Sequence, residues 1–178
     1  MIYMVEMGFS ALAMREKWDA WYLSHMKMLV TIPGISATQR FEALEDHIQP
    51  FVAMHEVTGP EVFESAGYKA KAGPASTGEW RTLHTHWVRN VFAGMEHTPN
   101  VAMSAYLILA EDGSQHEIPR GIEVHRLDSV GLDRSPARRW LAVTDQPSSA
   151  VALMGKQGIR VLKPLTPRLL EGQDWQPA

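Results

Sequence analysis

Met14-Arg-Glu-Lys-Trp18-Asp-Ala-Trp21-Tyr22-Leu-Ser-His25-Met-Lys-Met28-Leu29-Val-Thr-Ile32-Pro33-Gly34-Ile35 is the stretch that decides how this chain is read. Met14, Trp18, Trp21, Tyr22, Met28, Leu29 and Ile32 recur at three- and four-residue spacing, which puts them on one face of a long helix. Ser10 offers an N-cap ahead of it, and Pro33-Gly34 stops it. His25 stands inside the same stripe, where a leucine would be expected. Burying an imidazole without a partner costs on the order of 1–3 kcal/mol, so the ring is either hydrogen-bonded in a core or engaged in proton chemistry.

Working outward, Ile2 to Met7 reads as a first strand, and Ile35 to Ala43 with Phe51 to Val57 as an antiparallel pair joined through Glu45, Asp46 and His47. Thr58-Gly-Pro60-Glu61 is a capping box opening a short helix. Ser76 and Glu79 form a second one, and Trp80, Leu83, Trp87, Val88, Val91 and Phe92 follow at helical spacing. They predict a long helix over about 77–94, serving as a lid or a dimer interface. Strands are expected at Val101 to Ala110, Gly121 to Asp128, Arg139 to Thr144 and Ile159 to Leu162, with a helix from Ser148 to Met154. Gly34-Ile35, Val57-Thr58 and Pro60 recur as Gly121-Ile122, Val143-Thr144 and Pro147, an internal repeat. The expected fold class is α+β: two tandem degenerate ferredoxin-like units, 1–98 and 99–178, the second lacking the long first helix, with helices on one face of antiparallel sheets.

The composition excludes several classes. At 178 residues, with 45% hydrophobic and 21% charged residues, the chain is an ordinary globular one. A net charge of −3 and a pI near 6.2 argue against a nucleic-acid partner. The basic stretch Arg134 to Arg139 reads as a solvated turn. Without cysteine, disulfides, thiolate metal sites and thiol nucleophiles are excluded. No apolar run approaches the roughly 20 residues that cross a bilayer, and the first residues have no basic leader pattern, so the expectation is a cytoplasmic protein with no membrane partner. No GxGxxG, P-loop, HExxH or GxSxG pattern occurs.

Trp18, Trp21, Tyr22 and His25, then Ile32-Pro33-Gly34-Ile35 and Arg40-Phe41, resemble the EthD-like branch of the dimeric α+β barrel superfamily, whose pattern is a Trp-x-x-x-His helix running into a Pro-Gly turn. The resemblance covers roughly residues 1–70. It implies ferredoxin-like sheets closed into a barrel, by dimerisation or by tandem repetition, with a cavity between sheet and helices. A homodimer is the expectation. The wider superfamily contains cofactor-free monooxygenases, lactone isomerases, polyketide cyclases and haem enzymes.

These readings nominate His25 as a proton shuttle, Arg40 as the holder of an anionic or enolate oxygen, and Trp21 with Tyr22 as pocket walls. Strand alternation groups Met4 with Glu6, Thr38 with Arg40 and Glu42, and Phe51 with Ala53 and His55. Val5, Met7, Phe41, Val52 and Met54 are then expected to meet the helices. The polar set faces either solvent or a barrel interior; in the second case Glu6 pairs with Arg40, and His55 acts beside them as acid or base, unless a bulge turns Glu56 inward instead. His84 is placed with Trp80 and Trp87 on the apolar helix face as a pocket residue, and His86 points away, so His84 and His86 cannot share a cation. The expected activity is that of a cofactor-independent isomerase, cyclase or lyase acting on a small hydrophobic carbonyl or aromatic-derived metabolite, in aromatic catabolism. The alternatives are a cofactor-free monooxygenase, a haem enzyme with a histidine axial ligand, and a non-catalytic small-molecule binding protein.

Overall fold

The computed structural model describes residues 1–173 and 175, leaving aside the side chains of residues 74 and 75. β1 (Ile2–Phe9) is followed by a 3₁₀ turn and α1 (Arg15–Leu29), then by β2 (Ile35–Ala43) and β3 (Phe51–Val57). A second 3₁₀ turn (Pro60–Glu64), the short α2 (Ala66–Lys71) and an irregular 3₁₀ segment (Pro74–Thr82) lead to β4 (His84–Ala93). The second half runs β5 (Tyr106–Glu111), β6 (Val124–Leu132), β7 (Arg138–Thr144), α3 (Pro147–Leu153), β8 (Ile159–Pro164) and the two-residue β9 (Leu169–Leu170). Where the first half has α1, the second has only the 3₁₀ turn Gln115–Glu117. The fold is thus an α+β tandem of unequal ferredoxin-like units.

Every strand pairing is antiparallel, in the order β3-β1-β4-β6-β7-β5-β8-β2, and β2 pairs with β3 to close eight strands into a barrel. β9 pairs with Ala37 and Thr38 of β2, next to the stretch of β2 that β8 occupies. Closure removes free sheet edges, and the two-residue period divides each strand between an inner and an outer face. Each of the eight strands sends a large apolar side chain inward: Met4, Phe41, Met54, Phe92, Leu107, Leu127, Leu141 and Leu162 form one buried cluster. The barrel interior is therefore a packed core. Two helices cover the outside. Trp18, Tyr22, Met26 and Leu29 of α1 pack on Tyr3, Val5, Met7 and Ala53, and Ala150 and Leu153 of α3 pack on Ile108, Ala142 and Val161.

The structure corrects several expectations. The long helix over 77–94 does not form; the 3₁₀ segment ends at Thr82 and β4 begins at His84. Barrel closure needs a strand between β1 and β6, and the β-branched and aromatic run from His84 to Phe92 supplies it. Ser76 hydroxyl donates to the Gly73 carbonyl and starts no long helix. Ser10 caps nothing, because its hydroxyl donates to Leu83 carbonyl and α1 starts five residues later. Phe41, Val52 and Met54 fill the barrel instead of meeting helices, since a closed barrel makes its inner face the drier one. Arg139, assigned to a solvated turn, is buried.

Leu141→Ala, inside the barrel, is expected to lower the unfolding free energy by about 2–5 kcal/mol, through lost burial and a residual cavity. Leu12→Ala, at a side chain 69% exposed, should stay within about 0.5 kcal/mol. Urea denaturation of the two variants checks the assignment of inside and outside.

Candidate functional site

The site forms between α1 and the outer face of the barrel. α1 presents Trp21, Tyr22 and His25, with His25 one turn beyond Trp21, so their rings stack at 5.1 Å and 16°. Tyr22 meets His25 edge-on at 6.0 Å. From the sheet come Tyr3, Val5 and Met7 of β1, His55 of β3, and His84, Trp87 and Arg89 of β4. Tyr68, Gly73 and Thr77 close the far wall. The enclosed volume is about 30 Å³, room for one or two waters.

A one-residue bulge in β4 makes this convergence. β1 advances two residues, from Glu6 to Gly8, while β4 runs three, from Val88 back to Thr85, and His86 takes a left-handed φ of 49° at the step. The bulge reverses the alternation. His84 therefore joins Trp87 and Arg89 on the outer face, although a regular strand would turn it inward. Gly8 permits the crowding, since a Cβ there would lie 2.3 Å from Thr85 Oγ1 and 2.8 Å from Ile48 carbonyl oxygen.

The hydrogen bonds set proton positions. Trp18 Nε1–H donates to His84 Nε2 at 2.9 Å. An indole nitrogen can only donate, so Nε2 is the bare nitrogen and the neutral ring carries its proton on Nδ1. That Nδ1–H is buried without a partner among the described residues, as is Trp87 Nε1–H. Both side chains line the cavity, so its wall carries two N–H groups able to donate to an oxygen. His55 Nδ1 shares a 2.7 Å hydrogen bond with Thr38 Oγ1, and its ring stacks on Tyr3 at 5.1 Å.

Burial holds the imidazoles neutral. His25 is pushed down to about 4 by desolvation. Desolvation, then the proximity of His25, takes His55 to about 3. For His84, desolvation with Arg40 and His25 nearby gives about 4. Burial raises Tyr22 to about 12 and moves Tyr3 and Tyr68 upward too, so all three remain phenols at neutral pH. Tyr3 and Arg89 of the sheet face Tyr68 across the far wall, and Arg89 partly offsets the upward push on both phenols.

Of the residues nominated from sequence, His25, His55, Trp21, Tyr22, His84 and Trp87 share this cavity. Arg40 and Glu6 lie elsewhere, and they do not pair with each other. Arg40 is buried beneath α1, donating to Asp19 at 2.6 Å, with its guanidinium carbon 4.1 Å from the Trp18 ring centre and 4.3 Å from that of Tyr22. Its Nε and Nη2 meet no hydrogen-bond acceptor among the described residues, and the guanidinium acts as a cation–π clamp between the two rings. Glu6 points into the barrel and binds Arg139 and Arg160. Glu56 shares the face of Met54 and Ile2 at the end of β3, where it binds Arg168 and Ser36. Tyr3, Tyr68 and Arg89 escaped the sequence reading. Reading 84–93 as a strand would have exposed Arg89 as the outward neighbour of Trp87.

No family model matches the sequence, and no curated protein matches it. Solved structures do share its architecture. An anthrone oxidase-like protein superposes with a TM-score of 0.59 at 9% identity, over 99% of this chain and 95% of that one. A candidate monooxygenase from Lactobacillus acidophilus NCFM gives 0.53 at 10% identity, over 96% of each chain. Another from Fusobacterium nucleatum gives 0.50 at 9% identity, over 99% and 96%. At such identities the likeness is one of fold, and it extends over nearly the whole chain.

Proposed function

We propose that this chain is an enzyme that removes a proton from a small, flat, partly aromatic metabolite, and that the resulting anion reacts with molecular oxygen without a bound redox cofactor. The observation that carries the reading is the pairing, in one aromatic-walled cavity, of a neutral His25 with two donors unpartnered among the described residues, His84 Nδ1–H and Trp87 Nε1–H. The names of the similar structures, an anthrone oxidase-like protein and two candidate monooxygenases, support it as analogy. The Trp21-to-His25 spacing supports placing the chain in the EthD-like branch.

The chemistry is balanced by the substrate itself. His25 takes a proton from a methylene activated by an aryl or carbonyl neighbour, and the two donors hold the oxygen on which negative charge collects. The carbanion passes an electron to O₂, the radical pair joins as a peroxide anion that takes the proton back from the His25 imidazolium, and loss of water from the hydroperoxide leaves a carbonyl: CH₂ + O₂ → C=O + H₂O. A base near 4 is weak in the empty cavity, but the substrate anion formed beside it stabilises the imidazolium and lifts its affinity for the proton. Isomerisation or cyclisation shares the first step and omits oxygen. A cavity of about 30 Å³ admits such a substrate when the segment Pro74–Thr82 over its far wall moves aside.

With an activated phenol or anthrone-type substrate, oxygen uptake should accompany turnover. His25→Gln should lower kcat by about 10²–10⁴-fold. Oxygen-independent turnover would replace oxygenation by the isomerase reading, and ligand binding without any turnover would make the chain a binding protein.

The neutral imidazole is the active form, so kcat/KM should stay high above the free-enzyme pKa and fall as pH drops through it. The acid limb is expected near the value of about 4 set by burial of His25, below the ordinary histidine value of about 6.5. A pH profile of kcat/KM checks this.

A further inference from the structure

A second concavity, of about 300 Å³, opens at one end of the barrel and shares no lining residue with the histidine cavity. The β2–β3 loop, the ends of β5 and β8, Arg139 of β7 and the turn around Gly155 to Gly158 build its walls. Glu6 lies beneath it. Its Oε2 accepts from Arg139 Nη1 at 2.8 Å and also from Arg160 Nη2. One carboxylate thus serves two guanidiniums, leaving a net single positive charge where Glu6, Arg139 and Arg160 are 1%, 8% and 7% exposed.

That arrangement exceeds what a structural plug needs. One arginine satisfies a buried carboxylate, and a second brings a charge whose desolvation costs several kcal/mol unless it is matched. The remaining partners do not match it. Arg160 Nη1 donates to Gln49 carbonyl at 2.6 Å and approaches the His47 ring at 3.4 Å. Burial and the neighbouring Arg160 push His47 down, so its ring is neutral. Glu111 is felt by Arg160 but is exposed and screened by water. Among the described residues, Arg139 Nε and Glu6 Oε1 have no hydrogen-bond partner.

The rim has the opposite sign. Glu45, Asp46 and Glu111 line it, and the cation among them, Lys156, is engaged by Glu117. Glu45 gives one oxygen to Gly155 N–H at 2.8 Å. A phosphate-like dianion entering here meets three carboxylates before it reaches the arginines. A molecule with a carboxylate at one end and an ammonium at the other satisfies both zones, and Leu109, on the same face as Arg160, offers apolar wall for methylenes between them. We propose that the barrel mouth binds a small zwitterion of the ω-amino-acid type, its carboxylate on Arg139 and Arg160 and its ammonium toward Glu45 and Glu111.

Titration calorimetry on the whole chain tests this, with the ω-amino acids from glycine to aminohexanoate, the matched plain carboxylates, and inorganic phosphate. At least one amino acid should bind about tenfold or more tighter than its matched carboxylate. Glu111→Gln, at the exposed rim, should erase that difference without moving the thermal midpoint, and Arg139→Gln should abolish binding. Since Arg139→Gln also disturbs Glu6, the rim variant carries the test if the arginine variant folds poorly. Absence of binding across the series would overturn the proposal, as would a plain carboxylate or phosphate binding as tightly as the amino acid. Amino-acid binding that survives both substitutions would overturn it too, by locating the ligand elsewhere.

Discussion

Closing eight antiparallel strands into a barrel imposes the constraint on which the rest of this structure depends. Each strand must commit alternate side chains to a dry interior and to an outer face, and the interior admits charge only when it is paired. Here the middle of the interior is apolar, and polar groups such as Gln39, Asn90 and Glu6 with its arginines are hydrogen-bonded or ion-paired. Chemistry is therefore displaced to the outer face. The place where that face can be enclosed is beneath α1, the long helix that the second unit lacks.

Trp18 joins the layers there. Fully buried, it stacks on Phe9 at 4.2 Å and 3°, carries the Arg40 guanidinium over its ring, and spends its N–H on His84. One side chain of α1 thus touches β1, β2 and β4 and sets the tautomer of the histidine next to the cavity. The same packing desolvates His25 and His55, and desolvation is what holds both rings neutral. Packing and electrostatics at this site are one effect, so a change that loosens α1 also changes proton affinities.

α1 was legible because a 3.6-residue period sustained over Arg15–Leu29 has no strand equivalent. β2, β3, β7 and α3 were legible from β-branched runs and Pro or Gly punctuation. β4 was not, because its bulge puts His84 and Trp87 three residues apart on one face, a spacing that imitates a helix. The orientation of β3 failed for another reason: alternation states which residues share a face, and only barrel closure states which face is inside. Hence the nominated His25 and His55 come together in one cavity, while the nominated Arg40 and Glu6 lie outside it. The role of Arg139 depends on Glu6, 133 positions away along the chain, and no local pattern carries such a pairing.

Neutral, desolvated imidazoles line this cavity, with the proton of His84 assigned to Nδ1. Nitrogen-15 NMR of the histidine side chains across a pH titration tests this most directly. The account predicts that His25, His55 and His84 remain neutral from pH 8 down to about 5.5, because burial has carried each well below the ordinary histidine range, and that His84 holds its proton on Nδ1. A His25 that titrates near pH 6.5, or a His84 protonated on Nε2, would contradict it.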